Sequence, residues 1–293
     1  MKHNIARFLM VVLLAGVAAT LTAQSSPSSP PKVLVVSREF LKPGKAGSPH
    51  QKTESMFVQA MTAAKWPTHY LGTDAMTGPS RAVFFTGYDS LDAWGKDMTS
   101  TFGNPTLSAA IDRAFIADGE LLSSYDSNVF SYRPDLSYEA AVSIPDMRYF
   151  EVTVFRTKPG HEMEWEEIAK MYVQNFVKAL PGAHWATYQM LYGSNNGGGV
   201  YVVIVPVKSM AELDAGWAAG EKFMQQLGES GMKKMMELSA ASTLSTEANV
   251  LVFNPAISYV SDDWIKADPG FWKPKAATSA KKPAAKPEPK PAQ

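Results

Sequence analysis

Two histidines sit at matching places in the chain, His69 before Tyr70 and His184 before Trp185, 115 residues apart. An imidazole beside an aromatic ring can hold a small apolar or aromatic ligand, the ring by contact and the nitrogen by a hydrogen bond. The pattern equally describes a histidine at a strand boundary satisfied by backbone, because neither has an acid or nucleophile close by in the sequence. Tyr172 and Asn175 lie three apart in a helical stretch, and Asn175 interrupts a largely apolar run at a place where the matching residue is Ala60. Such an amide, aimed into a cleft between helix and sheet, would orient a ligand; on the flank of the helix it would face water. The ligand-binding candidates are therefore His69, His184, Trp185, Tyr172 and Asn175, and no residue set specifies a catalytic step.

His161 is followed by Glu162, Glu164, Glu166 and Glu167. This lacks the H-E-x-x-H spacing that brings two imidazoles onto one helical face, and the acids suit a helix N-terminus, so no metal site is expected. There is no cysteine, which rules out disulfides and thiolate ligands. A Gly-x-Ser-x-Gly elbow, a P-loop and a dinucleotide fingerprint are all missing, which argues against the hydrolase, NTPase and nicotinamide classes that depend on them.

The elements that must position these residues occur twice. Lys42-Pro43-Gly44 matches Lys158-Pro159-Gly160 at an offset of 116, and Met56-Phe57-Val58-Gln59 matches Met171-Tyr172-Val173-Gln174 at 115. Gly78 matches Gly193 at 115, Ser90 meets Ser209 at 119, and Asn128-Val129 faces Asn249-Val250 at 121. Slippage falls largely at loop-like segments, such as the Asn-Gly turn at 195–199. A period this long is a domain duplication, since solenoid units run roughly 20 to 50 residues.

Within each copy, β-branched and aliphatic runs predict strands at 33–41, 69–77, 81–88 and 128–133, then within 147–160, where the chain retells 32–44, and at 184–192, 200–207 and 249–254. Helices are predicted between the first and second strands and between the third and fourth, the latter broken at Gly103 and Gly228. Asn104-Pro105 and the S-x-x-E of Ser209 to Glu212 read as helix starts. The order β-α-β-β-α-β is the ferredoxin-like arrangement, an antiparallel sheet with helices on one face. In Val200 to Val207 both alternating sets are apolar, so both faces must be buried, and the open sheet of one copy packing on that of the other would do this. The expected organisation is a first repeat at 33–138, a linker at 139–146, a second repeat at 147–260 and an aromatic-containing extension at 261–272.

Residues 1–23 have the layout of a secretory signal, with Lys2 and Arg7 ahead of an apolar run and small residues leading to Ala23. Export to the periplasm or medium is expected, with no transmembrane helix in the mature chain. A Ser/Pro spacer at 24–32 and a disordered Lys/Pro/Ala tail at 273–293 flank the fold. The formal charge of zero conceals a basic tail: between Gln24 and Trp272 there are 20 basic against 27 acidic residues. No basic face for nucleic acid is expected, while the tail is suited to weak contact with an anionic envelope polymer.

Arg148-Tyr149-Phe150-Glu151, Phe155-Arg156 and Lys158-Pro159-Gly160-His161, followed by an acid-rich helix, resemble the first strand and turn of the dimeric α+β barrel superfamily, which includes antibiotic-biosynthesis-monooxygenase-like and NIPSNAP-like proteins. The resemblance implies an α+β fold in which two tandem ferredoxin-like repeats form an intrachain pseudo-dimeric barrel, with the single chain a monomer. Family members include oxygenases, haem-degrading enzymes and ligand-binding modules, so the fold leaves the function open. The sequence itself requires no cofactor, and haem enters only through the resemblance. The readings that remain are a protein binding a small apolar or aromatic ligand, a monooxygenase-like enzyme acting on an aromatic or haem-type ligand, and a structural envelope protein acting through its basic tail.

Overall fold

The structure, a computed structural model, describes residues 27–193 and 197–273. The signal-like leader, the start of the spacer, part of the Asn-Gly turn and the tail beyond Lys273 lie outside the described residues. Among the described residues no helix is long and apolar enough to cross a membrane.

The first half runs β1 (Val33–Leu41), α1 (Ser48–Ala64), β2 (Tyr70–Ala75), β3 (Arg81–Tyr88), α2 (Leu91–Gly103), α3 (Pro105–Gly119) and β4 (Leu122–Tyr132). The second runs β5 (Tyr149–Thr157), α4 (Glu162–Ala179), β6 (Ala186–Tyr192), β7 (Val200–Val207), α5 (Met210–Ser242) and β8 (Thr243–Phe253), and two short helices follow, α6 (Asp262–Ala267) and α7 (Pro269–Trp272). Strands in the order β1-β3-β2-β8-β5-β7-β6-β4 close into an antiparallel barrel. Each half supplies four consecutive staves, in the order β4-β1-β3-β2 and β8-β5-β7-β6, and the halves join at two seams, β2 to β8 and β4 to β6.

Strand alternation explains the closure. Leu34 and Val36 of β1, Val83 and Phe85 of β3, Phe150 and Val152 of β5, and Val202 and Ile204 of β7 belong to one buried cluster inside the barrel, to which all eight strands contribute. The intervening residues face the helices, as Ala82 and Phe84 do in one half and Tyr201 in the other. With both faces buried, a one-residue slip would turn both sets the wrong way, which fixes the register.

The seams are marked by the matched Gly-Asn pairs. Gly78 and Gly193 adopt φ of 75° and 107°, and a Cβ on either would lie 2.7 or 2.3 Å from the side-chain oxygen of Asn249 or Asn128. Only glycine combines that backbone with that approach. Below these turns Arg38 forks onto Asp126 at 2.7 and 2.8 Å, while Arg81 and Arg156 converge on Glu247, so the lower mouth of the barrel is closed by charged side chains.

Helix starts follow the sequence in part. Ser90 accepts from the Ala93 N–H and Asn104 from the Leu107 N–H, capping α2 and α3. At α5 the expected box is not made: Ser209 makes no side-chain cap bond, and Glu212 takes the N–H of Lys208 instead. Gly228 breaks the helical dihedrals inside α5 with φ of 62°. β4 and β8 each begin six residues earlier than predicted, because Ser123–Asp126 and Leu244–Glu247 carry mostly polar, solvent-facing side chains yet still pair with β1 and β5.

Candidate ligand-binding site

The upper end of the barrel holds a cavity of about 630 Å³. Leu34, Leu71, Phe85, Phe150, Tyr188 and Ile204 rise into it from six strands. Its cover comes from outside the sheet: Ile144 of the connector, Val260 just ahead of the C-terminal extension, Trp264 within it, and Ser28 to Pro31. Part of the segment expected to be a plain spacer is thus a wall, with Ser28 bridging to Val142 and Pro31 lying against Gly87.

The extension is held in place by specific contacts. Trp272 is buried, donates its indole N–H to the Pro145 carbonyl at 2.9 Å, and packs on Phe253, Trp264 and Phe271. Asp268 caps α7 through the Phe271 N–H and pairs with Arg148, whose guanidinium lies 4.0 Å from the centre of the Phe271 ring. Phe85, Phe150 and Phe253 continue this aromatic chain edge to face into the barrel.

The lining contains no lysine or arginine and a single carboxylate, Asp89. His69 lies on the wall, stacked on Tyr259 with ring centres 4.8 Å apart. Burial pushes its imidazole below the usual value, against the opposing pulls of Asp262 and of a hydrogen bond to the Pro67 backbone. Burial, with the neighbouring Tyr132, raises the Tyr188 phenol, so this ring stays neutral. Tyr88 also has a raised phenol and gives its hydroxyl to Asp97 at 2.9 Å. A volume within the roughly 300–1,000 Å³ of small-molecule pockets, apolar walls and a few neutral polar groups suit a neutral ligand with aromatic or aliphatic surface.

Of the five residues singled out from the sequence, only His69 lines this cavity. His184 faces carbonyl oxygens with both ring nitrogens, Gly182 at 3.0 Å and Pro206 at 2.7 Å. Trp185 is buried, with its indole N–H on the Leu136 carbonyl. Tyr172 packs against Phe176 and Phe223 between α4 and α5, and Asn175 donates back to the Met171 carbonyl of its own helix. The residues that sequence reasoning passed over are Phe85, Phe150, Tyr188 and Trp264; the first three were visible only as inward members of alternating strands.

Haem fits neither space between helices and sheet. In the second half Trp165 stacks on Tyr201 at 4.0 Å, with Phe155 and Leu136 against them, and fills that space. In the first half it is occupied by the buried side chains of Glu39, His50, Glu54 and Asp118.

No known family matches the sequence, and no curated protein is similar to it. Among solved structures, an anthrone oxidase-like protein superposes with a TM-score of 0.50 at 15% identity, over 76% of this chain and 92% of its own. A mutant chlorite dismutase from Candidatus Nitrospira defluvii gives 0.41 at 10% identity over 81% and 95% of the two chains. A dye-decolorizing peroxidase from Bacteroides thetaiotaomicron gives 0.43 at 8% identity over 78% and 95%. At 15% identity the likeness to the anthrone oxidase-like protein is one of fold alone.

Proposed function

We propose that this chain is an exported small-molecule-binding protein, monomeric because two tandem ferredoxin-like copies supply both halves of the barrel, and that its upper cavity takes a neutral apolar or aromatic ligand. The observation that carries the reading is the partly open cavity of about 630 Å³, walled mostly by aromatic and aliphatic residues and bordered by a separately anchored segment. The matching order of elements in the two halves supports the duplication, and the signal-like composition of residues 1–23 supports export.

The ligand site lies within the barrel rather than in the helix–sheet cleft of the second half, which aromatic rings fill. The test is fluorescence titration with N-phenyl-1-naphthylamine, a neutral aromatic probe. Saturable 1:1 binding is expected, and Ala186→Phe, which projects a ring into the cavity from β6, should weaken it about tenfold or more, the effect of roughly 1.4 kcal/mol of lost contact. Absence of saturable binding, or equal binding by the folded variant, refutes the assignment.

A further inference from the structure

We propose that Glu39, His50, Glu54 and Asp118 form a binding site for a divalent first-row transition ion, present in the first half of the molecule only and independent of the barrel-end cavity. Three elements converge there: β1 brings Glu39, α1 brings His50 and Glu54 one helical turn apart, and α3 brings Asp118. All four are buried, at 5, 1, 3 and 1% exposure respectively. The His50 Nε2 lies 2.9 Å from Glu39 Oε2, 3.6 Å from Asp118 Oδ1 and 3.9 Å from Glu54 Oε1. One donor atom from each residue lies within 4.8 Å of all the others. Bonds of about 2.0–2.2 Å to a shared ion put donors roughly 3–4.4 Å apart, so small side-chain shifts suffice to bring these atoms onto one ion.

The composition of the cluster argues for a cation. Three carboxylates and one imidazole lie together with no lysine or arginine among them, so full ionisation leaves net negative charge in a space shielded from water. Buried polar atoms are almost always bonded, and those left over call for an explanation. Among the described residues five buried side-chain polar atoms have no hydrogen-bond partner, and two belong to this cluster: Glu54 Oε1 and Asp118 Oδ2. Thr53 donates to Asp118 Oδ1 at 2.6 Å and holds that carboxylate, as outer partners do around metal ligands. One imidazole with three carboxylates suits Mn²⁺, Fe²⁺ or Zn²⁺.

The second half shows that the fold does not need these acids. Across the sheet Glu39 pairs with Ala82, and at the equivalent register Phe155 pairs with Tyr201. His50 and Glu54 have Trp165 and Ala169 as counterparts on α4 at an offset of 115, and these pack with Phe155 and Tyr201 as an apolar cluster. The same space is closed by stacked rings in one half and by ionisable groups in the other.

The test uses the intact, untagged protein, stripped with chelator and titrated calorimetrically with Zn²⁺, Mn²⁺ and, without oxygen, Fe²⁺. The expected result is one ion per chain with micromolar or tighter affinity for at least one metal, and at least a tenfold weaker affinity in Glu54→Gln, which keeps the side-chain shape. A circular dichroism spectrum matching wild type establishes that the variant is folded, and the electron paramagnetic resonance signal of bound Mn²⁺ gives a second readout. No 1:1 binding below about 100 μM by any of the three ions overturns the proposal, leaving a cluster of shared protons. Undiminished binding by folded Glu54→Gln and His50→Gln overturns it as well, since the ion then lies elsewhere.

Discussion

Replacing Trp272 with alanine removes the ring that ties the C-terminal extension to the barrel. The side chain is 2% exposed, contacts three aromatic rings and bonds the Pro145 carbonyl. A tryptophan burying on the order of 200 Å² of surface at about 25 cal/mol per Å² represents ~5 kcal/mol. Measured truncations of buried aromatic residues fall at about 3–5 kcal/mol, of which the lost hydrogen bond is about 1. Equilibrium urea unfolding should therefore show Trp272→Ala less stable by about 3–5 kcal/mol, with Trp272→Phe intermediate. Trp217→Ala is the control: that ring is 86% exposed on α5, and its loss should fall within about 0.5 kcal/mol of zero. Because Trp264 both lines the cavity and packs on Trp272, the Trp272→Ala variant should also release the naphthylamine probe faster. If Trp272→Ala and Trp217→Ala cost the same, and less than about 1 kcal/mol, the extension is not a structural wall and the argument for a built cavity falls with it.

The acidic cluster makes a pH prediction for the metal-free protein. Glu39 and Glu54 have folded-state values above their unfolded ones, so their stabilising contribution is complete below the ordinary glutamate range and is lost as pH rises through the raised values. Glu54→Gln removes one such group, and its denaturation midpoint in chelator should gain on wild type as pH increases from 5 to 8; parallel curves would contradict the assigned direction. Asp268→Ala takes away both the cap of α7 and the partner of Arg148, and thermal melting should report a loss of about 1–2 kcal/mol, against no change if the extension is frayed.

Much of the architecture was legible because it is written in local pattern. β1, β3 and β7 begin and end where their apolar runs do, since strands buried on both faces carry an uninterrupted signal. The polar lower ends of β4 and β8 carried no such signal, because there pairing rather than burial defines the strand. The site was less legible for a geometric reason. The spacing of Tyr172 and Asn175 is truly helical, but the face on which Tyr172 lies meets α5, and nothing local says which neighbour a helix will find. The cavity is likewise assembled from six strands and several segments that connect or flank them, so no short motif could announce it.

The acidic cluster is the instructive omission. Glu39 reads as an ordinary polar position in an alternating strand, His50 and Glu54 as an unremarked turn of helix, and Asp118 comes far later in the chain. What distinguishes them is visible only against their counterparts. At matched positions one half carries Glu39, His50, Glu54 and Ala82, and the other Phe155, Trp165, Ala169 and Tyr201. The two halves face the same packing problem between helix and sheet, and the second solves it with aromatic stacking, which needs no desolvated charge. Burying a histidine and three carboxylates in the first is the more costly solution, and one that a cation would offset. The difference between the halves therefore locates the specialised chemistry more sharply than any motif within either.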